Sequence, residues 1–177
     1  MRILLVPLLS LAACRTDDLV LPIRTEVDTG GFQCDGSSEA DLADADFADL
    51  SPSGCQGRIY ASDTLGYVAF TLDVPAFATA FGGEAATVTY TLPDDTVRLT
   101  VEKGCVFAAD RCGSVDEPVV FRTYTPTLGA VGVTTTPDGD DVRANVTLSD
   151  VTFADDTGDT HTLATLMFED VRLSVAR

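Results

Sequence analysis

The sequence predicts an all-β fold: an antiparallel β-sandwich of about eight or nine strands, with a closed β-barrel as the alternative. Three observations lead there. Apolar and polar residues alternate with a period of two through most of the chain after Gly57. The alternating runs are separated by short connections rich in Asp, Gly and Pro. Thr is frequent at the outward positions, as befits a pleated surface with one face in water.

In Tyr67-Val68-Ala69-Phe70-Thr71-Leu72-Asp73-Val74 the even positions are all apolar and share one face, the pattern of a half-buried strand. Pro75 to Ala85 is the one stretch with helical character. Pro75 suits a first helical position, and Phe77 and Phe81 are spaced i, i+4. Val88, Tyr90 and Leu92 then form an apolar face with Thr87, Thr89 and Thr91 opposite. Val97, Leu99 and Val101 form another, with Arg98, Thr100 and Glu102 opposite. Between these two runs, Pro93-Asp94-Asp95 reads as a hairpin turn.

Later runs are Val119 to Tyr124, Ala130 to Thr134, Val142 to Leu148, Val151 to Phe153, Thr160 to Phe168 and Val171 to Val175. Pro137-Asp138-Gly139-Asp140 and Asp155-Asp156-Thr157-Gly158-Asp159 supply turns between them. The parity of the apolar positions slips twice. Val142, Ala144, Val146 and Leu148 are even while Val151 and Phe153 are odd; Leu166 and Phe168 give way to Val171, Leu173 and Val175. Each slip predicts a bulge or bend, of the kind that lets one long strand leave one sheet and enter another.

Ahead of this region the chain begins Met1-Arg2, continues with a mostly apolar run from Ile3 to Leu11, and reaches Ala12, Ala13 and Cys14. The apolar run is about half the length a spanning helix needs and has the layout of an export signal. Leu11-Ala12-Ala13-Cys14 resembles the lipobox of bacterial lipoproteins. That resemblance covers fourteen residues. It implies removal of residues 1–13, lipidation of Cys14 as the mature N-terminus, and acyl chains that hold the protein to a membrane, each buried CH2 contributing about 0.8 kcal/mol. Arg15 follows, rather than the Asp that retains such proteins at the inner membrane. The resemblance therefore implies an outer-membrane lipoprotein of the cell envelope, facing the periplasm or the cell surface.

Three segments are expected: a signal peptide at 1–13; the lipidated cysteine, a tether and an irregular approach segment at 14–53; and the β-domain at 54–177. Four cysteines remain after Cys14, namely Cys34, Cys55, Cys105 and Cys112, an even number in an exported chain. Two disulfides are expected. Three pairings are open, with Cys34 to Cys55 and Cys105 to Cys112 favoured because each closes a local loop. Each bridge would stabilise by about 2 to 4 kcal/mol.

The chain carries 28 acidic against 11 basic residues, a formal charge of −17, and Lys103 is its one lysine beside ten arginines. Such a surface repels nucleic acid and anionic headgroups. The expected partners are the membrane, through the lipid, and an envelope or cell-surface protein.

Three Asp clusters are candidates for calcium, which needs several oxygen ligands on a loop. They are Asp41, Asp44, Asp46 and Asp49; Asp138, Asp140 and Asp141; and Asp155, Asp156 and Asp159. The last is preferred because two strands would fix its turn. Asp44-Ala45-Asp46 starts like an EF-hand loop but lacks the Gly and Glu that follow in one. Asp and Gly are also what hairpin turns prefer, so the leading expectation is no cofactor, with Ca2+ as the alternative.

His161 is the only histidine and reads as a strand-end imidazole, with no G-x-S-x-G and no H-E-x-x-H in the chain. Paired carboxylates carry little weight in so acidic a chain, Trp is absent, and Asn145-Val146-Thr147 is read as strand despite matching a glycosylation sequon. The expectation is a non-enzymatic binding, adhesive or structural domain, with a calcium-stabilised binding module next and a hydrolase after it.

Overall fold

The computed structural model describes residues 40–55, 57–105 and 119–174. The expected signal peptide, the lipobox-like segment with Cys14, the expected tether, Cys34 and Cys112 lie outside the described residues.

Period-two patterning becomes eight strands, joined antiparallel throughout. In chain order they are β1 (Ser51–Cys55), β2 (Arg58–Ser62), β3 (Val68–Asp73), β4 (Ala86–Leu92), β5 (Arg98–Cys105), β6 (Val119–Asp138), β7 (Asp141–Ala154) and β8 (Thr160–Leu173). Two helices accompany them, α1 (Ala45–Ala48) and α2 (Pro75–Phe81). Pro75 stands at the start of α2 as its preset φ favours, and Phe77 turns fully inward. The fold is all-β as expected. Its strands run β1-β2-β3-β5-β6-β7-β8, with β4 also on β6, in one sheet curled into a half-barrel around a main core, with Tyr60 and Ala69 forming a small separate cluster.

β6 makes the curl possible. At twenty residues it is far longer than the usual strand of about five or six, and its partners change along its length. Its first part pairs with β5, from Cys105↔Val119 to Val101↔Tyr124. Its second part pairs with β4, from Leu92↔Gly129 to Ala86↔Thr135, while β7 pairs with it from Thr125 to Asp138. Where β6 passes between these partners, the β6–β7 register shifts on both sides of Leu128. Gly129 has φ 119° there, and a Cβ on it would come within 2.6 Å of the Val151 Cα, so only glycine fits.

The parity slips fall on real irregularities. Val142, Ala144, Val146, Leu148, Val151 and Phe153 are all buried, and the change of parity is taken up at Asp150, which adopts φ 49°. In β8 the slip between Phe168 and Val171 is a bulge at Asp170, φ 52°, opposite Asn145. The Asn145 side-chain oxygen accepts the Asp170 amide at 2.7 Å, which gives this residue a structural task.

Two expectations are corrected. Pro93-Asp94-Asp95 does reverse the chain, but β4 and β5 do not form a hairpin: among the described residues β5 pairs with β3 and β6, and β4 with β6 alone. Turn chemistry reports that the chain changes direction, and the pairing of the flanking strands is decided by which faces are buried. The approach segment is also not irregular to its end. β1 begins at Ser51, and Leu42 and Phe47 belong to the hydrophobic core.

The core is centred on Tyr124, Phe70, Phe77 and Phe153, each fully buried. Phe70 and Phe168 meet edge to face with centroids 5.1 Å apart, joining β3 to β8 through the interior. β1 lies against β8 so closely that a Cβ on Gly54 would meet the carbonyl oxygen of Arg172.

Candidate functional site

Two buried charged side chains, Lys103 and Asp155, lie where residues 41–47 cross the strands. Alternation through Leu99 and Val101 carries Lys103 to the inward face of β5, and it is 3% exposed. An ammonium buried this far is costly unless it is paired and hydrogen-bonded. Its Nζ donates to the Asp41 carbonyl at 3.1 Å and to Asp46 Oδ2 at 2.8 Å. Asp46 Oδ2 also accepts the amide of Ala43 at 2.8 Å, which ties the start of α1 to the same carboxylate.

Arg122 stands opposite Lys103 across the β5–β6 ladder. Its Nη1 donates to Asp41 Oδ1 at 2.7 Å, to the Tyr124 hydroxyl at 3.3 Å, to Asp155 Oδ2 at 3.4 Å and to Asp159 Oδ2. The Tyr124 hydroxyl and the Asp159 carboxylate hold this guanidinium above its ordinary pKa. The Tyr124 hydroxyl also accepts the Leu42 amide at 3.2 Å, and the side chain of Leu42 sits in the core.

His161 opens β8. Its Nε2 lies 3.0 Å from Asp44 Oδ1, and its ring stacks on Phe47 with centroids 5.9 Å apart. Phe47 in turn stacks on Phe153 at 6.0 Å. Residues 41–47 are therefore a plug: Leu42 and Phe47 enter the core, while Asp41, Asp44 and Asp46 meet cationic or ionisable groups from β5, β6 and β8.

Asp155, the first of the preferred calcium ligands, is engaged by its own turn. Its Oδ1 accepts the amide of Thr157 at 2.9 Å, the hydroxyl of Thr157 at 2.9 Å and the amide of Asp159 at 2.9 Å. Burial pushes the carboxyl up, but these hydrogen bonds and the Arg122 charge outweigh it and hold it below the usual carboxylate range. Asp156 is exposed on the turn. The first and third Asp clusters are thus brought together, with Asp41, Asp155 and Asp159 converging on one guanidinium. A calcium ion on this turn would have to displace Arg122. The second cluster lies elsewhere, at the β6–β7 turn, where Asp138 pairs with Arg143 at 3.1 Å and Asp141 with Arg172. Among the described residues no group of three or more His, Cys, Asp or Glu is arranged to hold a metal ion.

A cleft of about 220 Å3 opens beside the plug, lined by Asp46, Asp49, Asp63, Tyr67, Leu65 and Lys103 among others. Asp63 Oδ1 is spent on the amides of Tyr67 at 2.7 Å and Val68 at 2.9 Å, closing the β2–β3 connection. What this arrangement does best is hold: its carboxylates and cations meet one another.

Sequence reasoning found His161 and the Asp clusters but passed over Lys103, Arg122 and Tyr124. The signal for Lys103 was present, since Val97, Leu99 and Val101 place the next odd position inward. Nothing in the sequence pairs Arg122 with residues 41, 155 and 159. Compared with known proteins, the chain matches no family model, no curated protein sequence and no solved structure.

Proposed function

We propose that the chain is the precursor of an envelope lipoprotein, anchored through Cys14 in the outer membrane, whose β-domain is a non-enzymatic binding or structural module. The observation that carries the reading is the box Leu11-Ala12-Ala13-Cys14 at the end of an apolar run with a basic start. The plug supports it. The segment that leads from the anchor ends bonded to β5, β6 and β8, so the tether would join the domain at a fixed point.

The favoured disulfides, Cys34 to Cys55 and Cys105 to Cys112, complete the proposal. They are supported by the even number of cysteines after Cys14 and by the burial of Cys105 at the end of β5.

The test is metabolic labelling with a radioactive fatty acid, followed by fractionation, of the full chain and its Cys14→Ala variant. Label and membrane retention are expected in the first and lost in the second; retention unchanged in Cys14→Ala would overturn the anchor. Crosslinking on intact cells then looks for a reproducible envelope partner.

A further inference from the structure

We propose that the open edge of β4 is a docking strand for the β4 of a second copy, paired antiparallel about a two-fold axis at Thr89. Among the described residues β4 is hydrogen-bonded to β6 alone, which leaves one of its edges without a strand. Native proteins guard such an edge with lysine, proline or an inward-pointing charge. Ala86-Thr87-Val88-Thr89-Tyr90-Thr91-Leu92 has none of these and consists almost wholly of residues that favour strands.

Charge argues for this edge as the place where two copies meet. Each chain carries −17, so copies repel through most of their surface, and β4 is a stretch of seven residues without an acidic or basic side chain. The neighbouring positions on its outward side are also uncharged, since Thr89 faces Gly132 on β6, and Gly132 faces Thr147 on β7.

The sequence of β4 argues for a second copy over an unrelated strand. It is nearly symmetric about Thr89. In the two-fold register Thr89 faces its own equivalent, Thr87 faces Thr91, and Val88 faces Tyr90. Thr–Thr and aromatic–β-branched pairs are both among the favourable cross-strand combinations. Val88 is a large apolar residue left 37% exposed in the single chain, and the Tyr90 ring of the second copy would cover it. Tyr90 is already held in place, its hydroxyl accepting the Ala76 amide at 3.1 Å.

The register makes a specific prediction. Full-length chains carrying two different C-terminal tags are co-expressed, solubilised in detergent, captured on one tag and probed for the other. Wild-type copies co-purify. Thr89→Lys in both copies sets two lysines opposite each other and lowers recovery by about tenfold. Thr89→Lys in one copy with Thr89→Glu in the other restores it. Thr89 is exposed and faces a glycine, so both variants fold, as protease resistance would verify. The proposal is overturned if wild-type copies do not co-purify, if the Lys/Lys pair co-purifies as well as wild type, or if the Lys/Glu pair fails to recover. It is overturned equally if a different protein is found on the edge and is lost with either charge.

Discussion

The Lys103 ammonium and the Asp46 carboxylate lie 2.8 Å apart, brought together from positions fifty-seven residues apart in the chain. Their side chains are unequally buried, 4% exposed for Lys103 and 19% for Asp46, so removing one partner is not equivalent to removing the other.

Asp46→Asn leaves a buried ammonium without its counter-charge and loosens the start of α1. It should destabilise by about 2 to 3 kcal/mol, toward the low end for a broken buried pair because Asp46 retains some water. Lys103→Met leaves only the more exposed carboxylate behind and should cost less. The double variant should lose less than the sum, a coupling that denaturant unfolding of the four proteins would measure. Additive losses would show that the pair does not hold the plug.

Stability should fall on the alkaline side through Tyr60. Burial, then Glu102 and Asp63, push its hydroxyl from 10.0 up to about 12, and among the described residues that hydroxyl has no hydrogen-bond partner. The folded state therefore favours the neutral phenol. This contribution is complete below about pH 10 and lost as pH rises toward about 12. Tyr60→Phe should flatten that loss and cost little at neutral pH, since no bond is broken. Melting temperatures across the alkaline range, beside an ultraviolet titration, check both.

Asp155 acts on the opposite limb. Its carboxyl is held below 3.8, so the stability it brings is present above the usual carboxylate range and is lost as pH falls through its lowered pKa. Asp155→Asn should melt lower at neutral pH and lose less on acidification. A calcium series on the wild-type chain, with magnesium and sodium controls, should raise the melting temperature no more than ionic strength does, because Arg122 already stands among Asp41, Asp155 and Asp159. A rise specific to calcium and following a single-site curve would show that the ion displaces the guanidinium.

Asn145→Ala removes the acceptor of the Asp170 amide at the β8 bulge and should destabilise by about 1 kcal/mol. Gly129→Val should cost far more, because its φ of 119° and the approach of Val151 leave no room for a side chain. Hydrogen exchange would place the first change at the bulge, and the second where β6 changes partners.

The all-β class, the short helix at Pro75, and the irregularities near Asp150 and Asp170 were legible in the sequence. They depend on periodicity two, on proline geometry and on parity, all properties of a few adjacent residues. So was the burial of Val68, Phe70 and Leu72 along one face of β3. Partner choice was not legible: the Pro93 turn looks the same whether β4 pairs with β5 or with β6.

Beyond the inward position of Lys103, the site around residues 41–47 belonged to the tertiary structure. An Asp in a turn has the same local signature whether it faces water or an arginine, and residues 41–46 lie far along the chain from Lys103, Arg122 and His161. Strand register sets Lys103 beside Arg122 and carries the β7–β8 turn to the same end of the sheet, and residues 41–47 pack across them. Local chemistry specified the strands; strand register and the packing of residues 41–47 decided which acids and bases meet.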